Sequence, residues 1–183
     1  MKGLIILEDR VEDIEGIASR ALLRRAGINV DTATTNLNKV IKTGYGVSVM
    51  VDYNLSDLDL EKYDFLIIPG GPYVAGMYEQ ETQIHQAARH FYERKKLIGA
   101  ICAAPRIIGH LGYLENLEFT CYPGAQGGIK GGIYKPNQKV IVHERIITAK
   151  SPAYVTNFIY EIVAKVFDKD RADALLKHLA HLD

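Results

Sequence analysis

The sequence lacks an excess of charge of either sign, because 22 lysines and arginines balance 22 aspartates and glutamates among its 183 residues. This balance excludes the basic footprint of a nucleic-acid-binding protein and the polybasic patch of a membrane-surface protein. The sequence also lacks any apolar run near the roughly 18 residues of a membrane span, and its first residues turn acidic too soon for a signal peptide. We therefore expect a cytoplasmic protein that binds neither nucleic acid nor membrane.

Cysteine is scarce as well, with Cys102 and Cys121 as its two occurrences. Neither belongs to a CxxC pair or to a Cys/His spacing typical of metal ligands, so neither a zinc site nor a disulfide framework is indicated. The glycine-rich residues 124–132 resemble a phosphate-binding loop only loosely, because Lys130 is followed by glycine instead of serine or threonine, and we interpret them as a flexible loop or hairpin. We predict no metal and no cofactor.

Linkers, repeats and low-complexity tracts are missing too, which favours one domain over residues 1–183. Apolar runs alternate with helical patterns, as expected for a mostly parallel sheet that helices cover on both faces. We predict a three-layer α/β sandwich. The predicted strands span residues 4–7, 28–33, 47–51, 64–68, 97–101, 117–122, 140–142 and 145–149, and the predicted helices span about 11–25, 75–94, 105–112, 151–167 and 170–179.

The first predicted helix carries one residue that does not fit its pattern. The apolar stripe that we predict to face inward is Val11, Ile14, Ala18, Ala21 and Leu22, with Glu12, Ser19 and Arg20 on the other side. Glu15 falls within or beside this stripe, where loss of hydration would raise the pKa of its carboxyl. The alternative is a glutamate at the edge of the stripe whose carboxylate turns out to water.

Cys102 ends an apolar run and precedes Pro105, a residue that suits the first turn of a helix. The cysteine is therefore predicted at a strand-to-helix turn, where the positive end of the helix and nearby N–H groups favour the thiolate. The small residues Ala100 and Ala104 permit a strained turn like the nucleophile elbow of hydrolases. The alternative is an inert buried thiol, which is our interpretation of Cys121 in the middle of a predicted strand.

Gly70 and Gly71 follow another fully apolar strand. Their N–H groups could point at an anion, or the glycines could serve only the geometry of the turn. In parallel α/β sheets, binding sites form at the carboxyl ends of the strands, which is where Glu15, Gly70, Gly71 and Cys102 are all predicted to lie. We expect these residues to form one site, in which Glu15 donates a hydrogen bond to the thiolate or moves a proton and the Gly71 N–H stabilises an oxyanion.

Four motifs, in order and spacing, resemble the ThiJ/PfpI superfamily and within it the DJ-one branch. They are Glu12-Asp13-Ile14-Glu15, Leu23-Arg24-Arg25-Ala26-Gly27, Ile68-Pro69-Gly70-Gly71 and Ala100-Ile101-Cys102-Ala103-Ala104-Pro105. The similarity extends over essentially the whole chain. It implies a flavodoxin-like fold, a homodimer, Cys102 as the reactive cysteine, Glu15 as its protonated partner, and Gly71 as an oxyanion donor.

Two positions depart from the family pattern, and both departures remove a histidine that could transfer protons. The protease-like branch has histidine directly after the cysteine, whereas Ala103 stands here, so a peptidase would lack its base. In the DJ-one branch a histidine precedes the proline that corresponds to Pro123, and here that residue is Tyr122. A phenol with a pKa of about 10 cannot replace an imidazole in proton transfer near neutral pH, although it still forms hydrogen bonds. We predict Gly70, Gly71, Ala103 and Tyr122 as oxyanion or binding residues, with Cys102 and Glu15 as the catalytic pair.

Two functions follow from the resemblance. The first is a glyoxalase or deglycase, in which Cys102 attacks an α-oxoaldehyde such as methylglyoxal, or a glycation adduct, and Glu15 moves the proton. The second is a redox-sensing or stress-protective protein in which Cys102 is oxidised to a sulfinate, without catalytic turnover. The partners that we expect are therefore a small aldehyde or glycated substrate and a second copy of the chain.

Overall fold

The computed structural model describes residues 1–181. The strands are β1 (Lys2–Ile6), β2 (Asn29–Thr34), β3 (Val40–Lys42), β4 (Ser48–Met50), β5 (Tyr53–Asn54), β6 (Phe65–Ile68), β7 (Leu97–Ile101), β8 (Glu118–Phe119), β9 (Ile133–Tyr134), β10 (Val140–Val142) and β11 (Ile146–Ala149). The α-helices are α1 (Ser19–Arg25), α2 (Gln83–Glu93), α3 (Pro105–His110), α4 (Val155–Val166) and α5 (Lys169–Ala180).

Seven strands form the central sheet, in the order β10-β11-β7-β6-β1-β2-β5. Neighbouring strands run parallel, except that β10 and β11 form an antiparallel pair. Taken in chain order, β1, β2, β6, β7 and β11 have the 2-1-3-4-5 arrangement of the flavodoxin-like fold. The predicted fold class is therefore confirmed. From β1, the chain adds β2 on one side of the sheet and then β6, β7 and β11 on the other, so the strand order reverses between β1 and β6.

Alternate residues of the buried strands pack on opposite sides of this sheet, as the period-2 geometry of a strand requires. In β1, Ile5 belongs to the core under α1, α4 and α5, whereas Leu4 and Ile6 belong to the core under α2 and α3. Both faces are thus covered by helices. Within residues 1–181, no helix is both long and apolar enough to cross a membrane.

The first predicted helix is not continuous, and its predicted inward face is only partly correct: Val11 is buried and Ala18 and Leu22 pack against the core, whereas Ile14 and Ala21 are exposed. A π-helical turn spans Ile14–Ala18 before α1 begins at Ser19. The wider turn adds a residue to the repeat and rotates the side chains that follow it. Glu15 and Ser19 consequently point into the protein, whereas Ile14 is 54% exposed.

Two predicted strands contribute less to the fold than expected. Residues 47–51 supply only β4, which pairs with β3 in a separate antiparallel hairpin outside the central sheet. In the predicted strand 117–122, only Glu118–Phe119 forms a ladder, because the Thr120 N–H bonds to the Thr148 hydroxyl instead of to a neighbouring strand. Cys121 therefore follows a short strand instead of lying within one, although it is fully buried.

The helix predicted over residues 75–94 begins later than expected. A 3₁₀ turn at Pro72–Gly76 follows the double glycine, and α2 starts only at Gln83, behind a capping box formed by Thr82 and His85. The glycine-rich residues 124–132 form an irregular loop with a short 3₁₀ turn at Ala125–Gly128. This loop packs against α3 and so reaches the neighbourhood of Cys102.

Candidate active site

The turns after three neighbouring strands bring the predicted residues together. Glu15 follows β1, Gly70 and Gly71 follow β6, and Cys102 follows β7, all at the carboxyl edge of the sheet. This edge includes the point between β1 and β6 where the strand order reverses, which is where open α/β sheets form their ligand crevice.

Cys102 lies at the strand-to-helix turn that the sequence predicts, with a strained backbone. Its φ is +63°, in the left-handed region that is uncommon for residues other than glycine. The conformation is held from both sides, because the Cys102 N–H donates to the Ala149 carbonyl at 2.9 Å and the Tyr122 N–H donates to the Cys102 carbonyl at 2.8 Å. The residue is 7% exposed and lines the adjoining cavity.

Glu15 is completely buried, so the alternative in which its carboxylate turns out to water is wrong. Its Oε2 accepts a hydrogen bond of 2.8 Å from the Gly70 N–H. Its Oε1 is also buried and has no hydrogen-bond partner within residues 1–181. The Cys102 thiol lies close enough to this carboxyl for each group to shift the pKa of the other.

The thiol and the carboxyl behave as a coupled pair. Burial raises the pKa of the Glu15 carboxyl to about 7. Burial, together with the negative charge of Glu15, raises the pKa of the Cys102 thiol. Two negative charges in this buried space repel each other strongly, so the pair holds one shared charge above neutral pH and loses its second proton far less readily.

The turn favours the thiolate in the expected direction, but its contribution does not decide the pKa of the thiol. The helix α3 has only six residues, and the Ala103 N–H is the group that opposes the rise in the pKa of the thiol. Desolvation and the neighbouring carboxyl outweigh this contribution. Deprotonation of the thiol is therefore disfavoured, and Glu15 is the titratable group in contact with it.

The two glycines have different roles. The Gly70 N–H is used by Glu15 and is not free to bind an anion, which corrects its predicted role as an oxyanion donor. A Cβ at Gly70 would lie 2.7 Å from the Cys102 Cβ and 2.8 Å from the Glu15 Oε2, so only glycine lets these parts meet. The Gly71 N–H has no acceptor within residues 1–181, and Gly71 lines the cavity.

A cavity of about 480 Å³ opens in front of the thiol. Four of the predicted residues line it: Cys102, Gly71, Ala103 and Tyr122, the last of which is 51% exposed at the rim. Glu15 and Gly70 lie behind this wall. Sequence reasoning missed the lining residues Glu12, Tyr45 and Arg106, of which only Arg106 had a usable signal, four residues after Cys102 at the start of a helix.

The chain is similar in sequence and fold to known proteins of one family. The model of the DJ-1/PfpI family matches residues 1–165. This chain belongs to that family. It is 28% identical over 189 residues to the "Glutathione-independent glyoxalase DJ-1" of Schizosaccharomyces pombe, covering 98% of both chains. It is 30% identical over 179 residues to the "Glutathione-independent glyoxalase DJR-1.2" of Caenorhabditis elegans, covering 97% of this chain and 95% of the relative.

Among solved structures, the fold of this DJ-1/PfpI protein matches "Toxoplasma gondii DJ-1, oxidized" with a TM-score of 0.88 at 26% identity, covering 98% of this chain and 97% of the other. The resemblance drawn from the four motifs, including the assignment to the DJ-1 branch, is thus confirmed.

Proposed function

We propose that this DJ-1/PfpI protein is a cofactor-independent glyoxalase or deglycase that acts on α-oxoaldehydes such as methylglyoxal, or on early glycation adducts. The observation that carries the proposal is the contact between a fully buried carboxyl, Glu15, and a thiol, Cys102, at the wall of a cavity. The relatives with glyoxalase in their names support the choice of substrate.

In the first step, the Cys102 sulfur attacks the aldehyde carbon while its proton passes to the Glu15 carboxylate. The carbonyl oxygen becomes an oxyanion that the free Gly71 N–H stabilises, and it then takes up the proton from Glu15 to give a hemithioacetal. A carboxyl with a pKa of about 7 suits this exchange, because near neutral pH its protonated and ionised forms are similar in free energy, so it can both accept and return a proton.

In the second step, Glu15 removes the proton from the former aldehyde carbon to give an enediol and returns it to the neighbouring carbon, while the hydroxyl proton of the hemithioacetal passes to the former keto oxygen. The product is the thioester of a 2-hydroxy acid, an isomer of the hemithioacetal, so the step needs no external oxidant or reductant. Water then cleaves the thioester, releasing the hydroxy acid and restoring the thiol. Tyr122, at the rim, contributes hydrogen bonding to substrate oxygens and no proton transfer.

A peptidase is not proposed, because the base that it would need is missing. Ala103 follows the cysteine, and none of the described residues that line the cavity is a histidine.

The test is the consumption of methylglyoxal by the wild type, Cys102→Ser and Cys121→Ser. We expect turnover by the wild type, background rates for Cys102→Ser, and near wild-type rates for Cys121→Ser, because Cys121 is fully buried and does not line the cavity. A wild type no faster than Cys102→Ser would overturn the glyoxalase proposal.

That outcome would favour the second candidate, a redox-sensing or stress-protective function. It is supported by a thiol that meets a cavity beside the Gly71 and Ala103 N–H groups, and by a relative whose structure is described as oxidised. Each peroxide would transfer one oxygen to sulfur and leave as water, so two equivalents give the sulfinate. Mass spectrometry after mild peroxide should find two added oxygens on Cys102 and none on Cys121; equal oxidation of both would remove the basis for this function.

The expected homodimer in the cytoplasm belongs to the same proposal. Apolar side chains are exposed on the π-helical turn and on the β3–β4 hairpin. Asp13 links these two segments, because its carboxylate accepts hydrogen bonds from the Thr43 hydroxyl and the Tyr45 N–H. The exposed apolar residues are Ile14, Ile17, Tyr45, Val47 and Met50. Such a patch is typical of a protein interface. Sedimentation equilibrium at the mass of a single 20.4 kDa chain would contradict the dimer.

A further inference from the structure

Arg106 lies in the wall of the cavity, and the proposed chemistry does not use it. Its Nε donates to the Ala125 carbonyl at 2.7 Å and its Nη2 donates to the Gly124 carbonyl at 2.6 Å. Gly124 and Ala125 themselves line the cavity. The guanidinium group is therefore fixed at the cavity wall instead of moving freely in solvent.

The charge of this group is not neutralised by a carboxylate. No salt bridge within residues 1–181 involves Arg106. The Tyr78 ring covers the guanidinium, with its centroid 4.9 Å from Cζ, but a neutral ring leaves the positive charge in place. Because a guanidinium has five N–H donors and two are used here, three remain for a ligand.

The cavity is electrically asymmetric. Its acidic lining residue, Glu12, accepts a hydrogen bond of 2.8 Å from the Glu15 N–H and so lies on the side of the Glu15–Cys102 pair. Arg106 is held on the side of the Gly124–Ala125 loop. Proline and alanine side chains contribute much of the remaining lining. A ligand in this cavity would therefore meet both the reactive thiol and a fixed cation.

We propose that Arg106 binds an anionic group at the far end of the substrate, so that the preferred substrates are α-oxoaldehydes that carry a carboxylate or a phosphate. This inference rests on the proposed function and specifies its substrate class. A planar guanidinium pairs with carboxylate or phosphate through two parallel N–H bonds, which are stronger and more directional than those of neutral donors. Arg106 would thus determine specificity without taking part in the proton transfers.

The first experiment compares 4,5-dioxopentanoate, an α-oxoaldehyde with a terminal carboxylate, with its neutral methyl ester and with methylglyoxal. The wild type should have a kcat/KM about tenfold or more higher for the carboxylate than for the ester, as expected for a charge-assisted hydrogen bond. Arg106→Gln should remove this preference, so that the ratio of kcat/KM for the carboxylate to kcat/KM for the ester falls towards one, and Arg106→Lys should retain part of it. Comparing kcat/KM for the three-carbon α-oxoaldehyde with a terminal phosphate and for the carboxylate substrate shows which anion the site prefers.

An equal loss for charged and neutral substrates in Arg106→Gln would overturn the inference, because it would mean that Arg106 only supports the Gly124–Ala125 loop. Absence of any preference in the wild type would overturn it as well. Thermal unfolding of each variant checks that the loop and α3 remain folded.

A second experiment separates this inference from the proposed function, because it needs no turnover. In a Cys121→Ser background, Cys102 is alkylated with iodoacetate, which is anionic, and with iodoacetamide, its neutral counterpart. The rate ratio of iodoacetate to iodoacetamide should fall severalfold in Arg106→Gln, since the variant loses the cation that attracts the anion. An unchanged ratio would refute the anion site even if methylglyoxal is a substrate, whereas a lower ratio would uphold it even if methylglyoxal is not.

Discussion

Glu15→Gln is expected to lower kcat/KM for methylglyoxal by about a hundredfold or more, because it removes the base that takes the thiol proton and moves the carbon-bound hydrogen. Wild-type kcat/KM should rise with pH through about 7, the pKa to which burial raises the carboxyl, as the pair loses its first proton. The variant should lack this rise. Steady-state rates across the neutral range, with the exposed Glu93→Gln as a matched control, test both points.

The same variant should be more stable than the wild type above neutral pH. Folding raises the pKa of the Glu15 carboxyl from 4.5 to about 7, so between these values the folded protein keeps a proton that the unfolded chain has lost. The stability that this group contributes is complete below the lower value and is lost as the pH rises through the upper one. The difference corresponds to about 3 kcal/mol in the free energy of unfolding.

Urea unfolding of both proteins at acidic and at mildly alkaline pH measures this effect. The stability of Glu15→Gln relative to the wild type should increase with pH, since glutamine carries no charge to bury. A difference that is independent of pH would show that Glu15 is not held in a dry environment. Loss of activity combined with a gain in stability would distinguish a functional carboxyl from a structural one.

Gly71→Ala is expected to lower both stability and activity strongly. Gly71 has φ +129° and ψ 169°, a combination that is essentially confined to glycine. A Cβ there would also lie 2.6 Å from the Glu12 N and collide with the Arg10 carbonyl. Strain and overpacking together should cost about 3 kcal/mol or more in the free energy of unfolding.

The activity should fall because relief of the clash moves the free Gly71 N–H away from the oxyanion and shifts the start of the π-helical turn that carries Glu15. Gly76→Ala is the matched control, since a Cβ at Gly76 meets nothing within 4 Å and its φ is not positive. Gly76→Ala should have a free energy of unfolding in urea and a rate of methylglyoxal turnover close to those of the wild type. Equal effects of the two substitutions would contradict the role given to the Gly71 backbone.

The alternation of strands and helices could be predicted from the sequence, because the periodicity of buried residues and the steric limits of the backbone act between residues close together in the chain. A run such as Phe65–Ile68 has no polar side chain, so it forms a strand that is buried on both faces. The turn at Cys102 was predictable for the same reason, from an apolar strand that ends just before Pro105. Glu15 was recognisable because a carboxylate interrupted an apolar stripe.

Other features depended on contacts between residues far apart in the chain. The π-helical turn, and with it the burial of Glu15 and Ser19, cannot be read from a pattern with a period of 3.6 residues. The alternating pattern of residues 47–51 predicts a strand but not its partner, and in the structure β4 pairs with β3 instead of with a strand of the central sheet.

By itself, then, the sequence determined the layered fold and the position of a thiol, a carboxyl and two glycines at one sheet edge. Only the tertiary structure decided that Glu15 is sealed from water, that it raises the pKa of the Cys102 thiol, and that Arg106 faces the same cavity. The physical reason is that periodicity follows from local backbone geometry, whereas hydration, charge coupling and cavity walls arise when distant segments pack together.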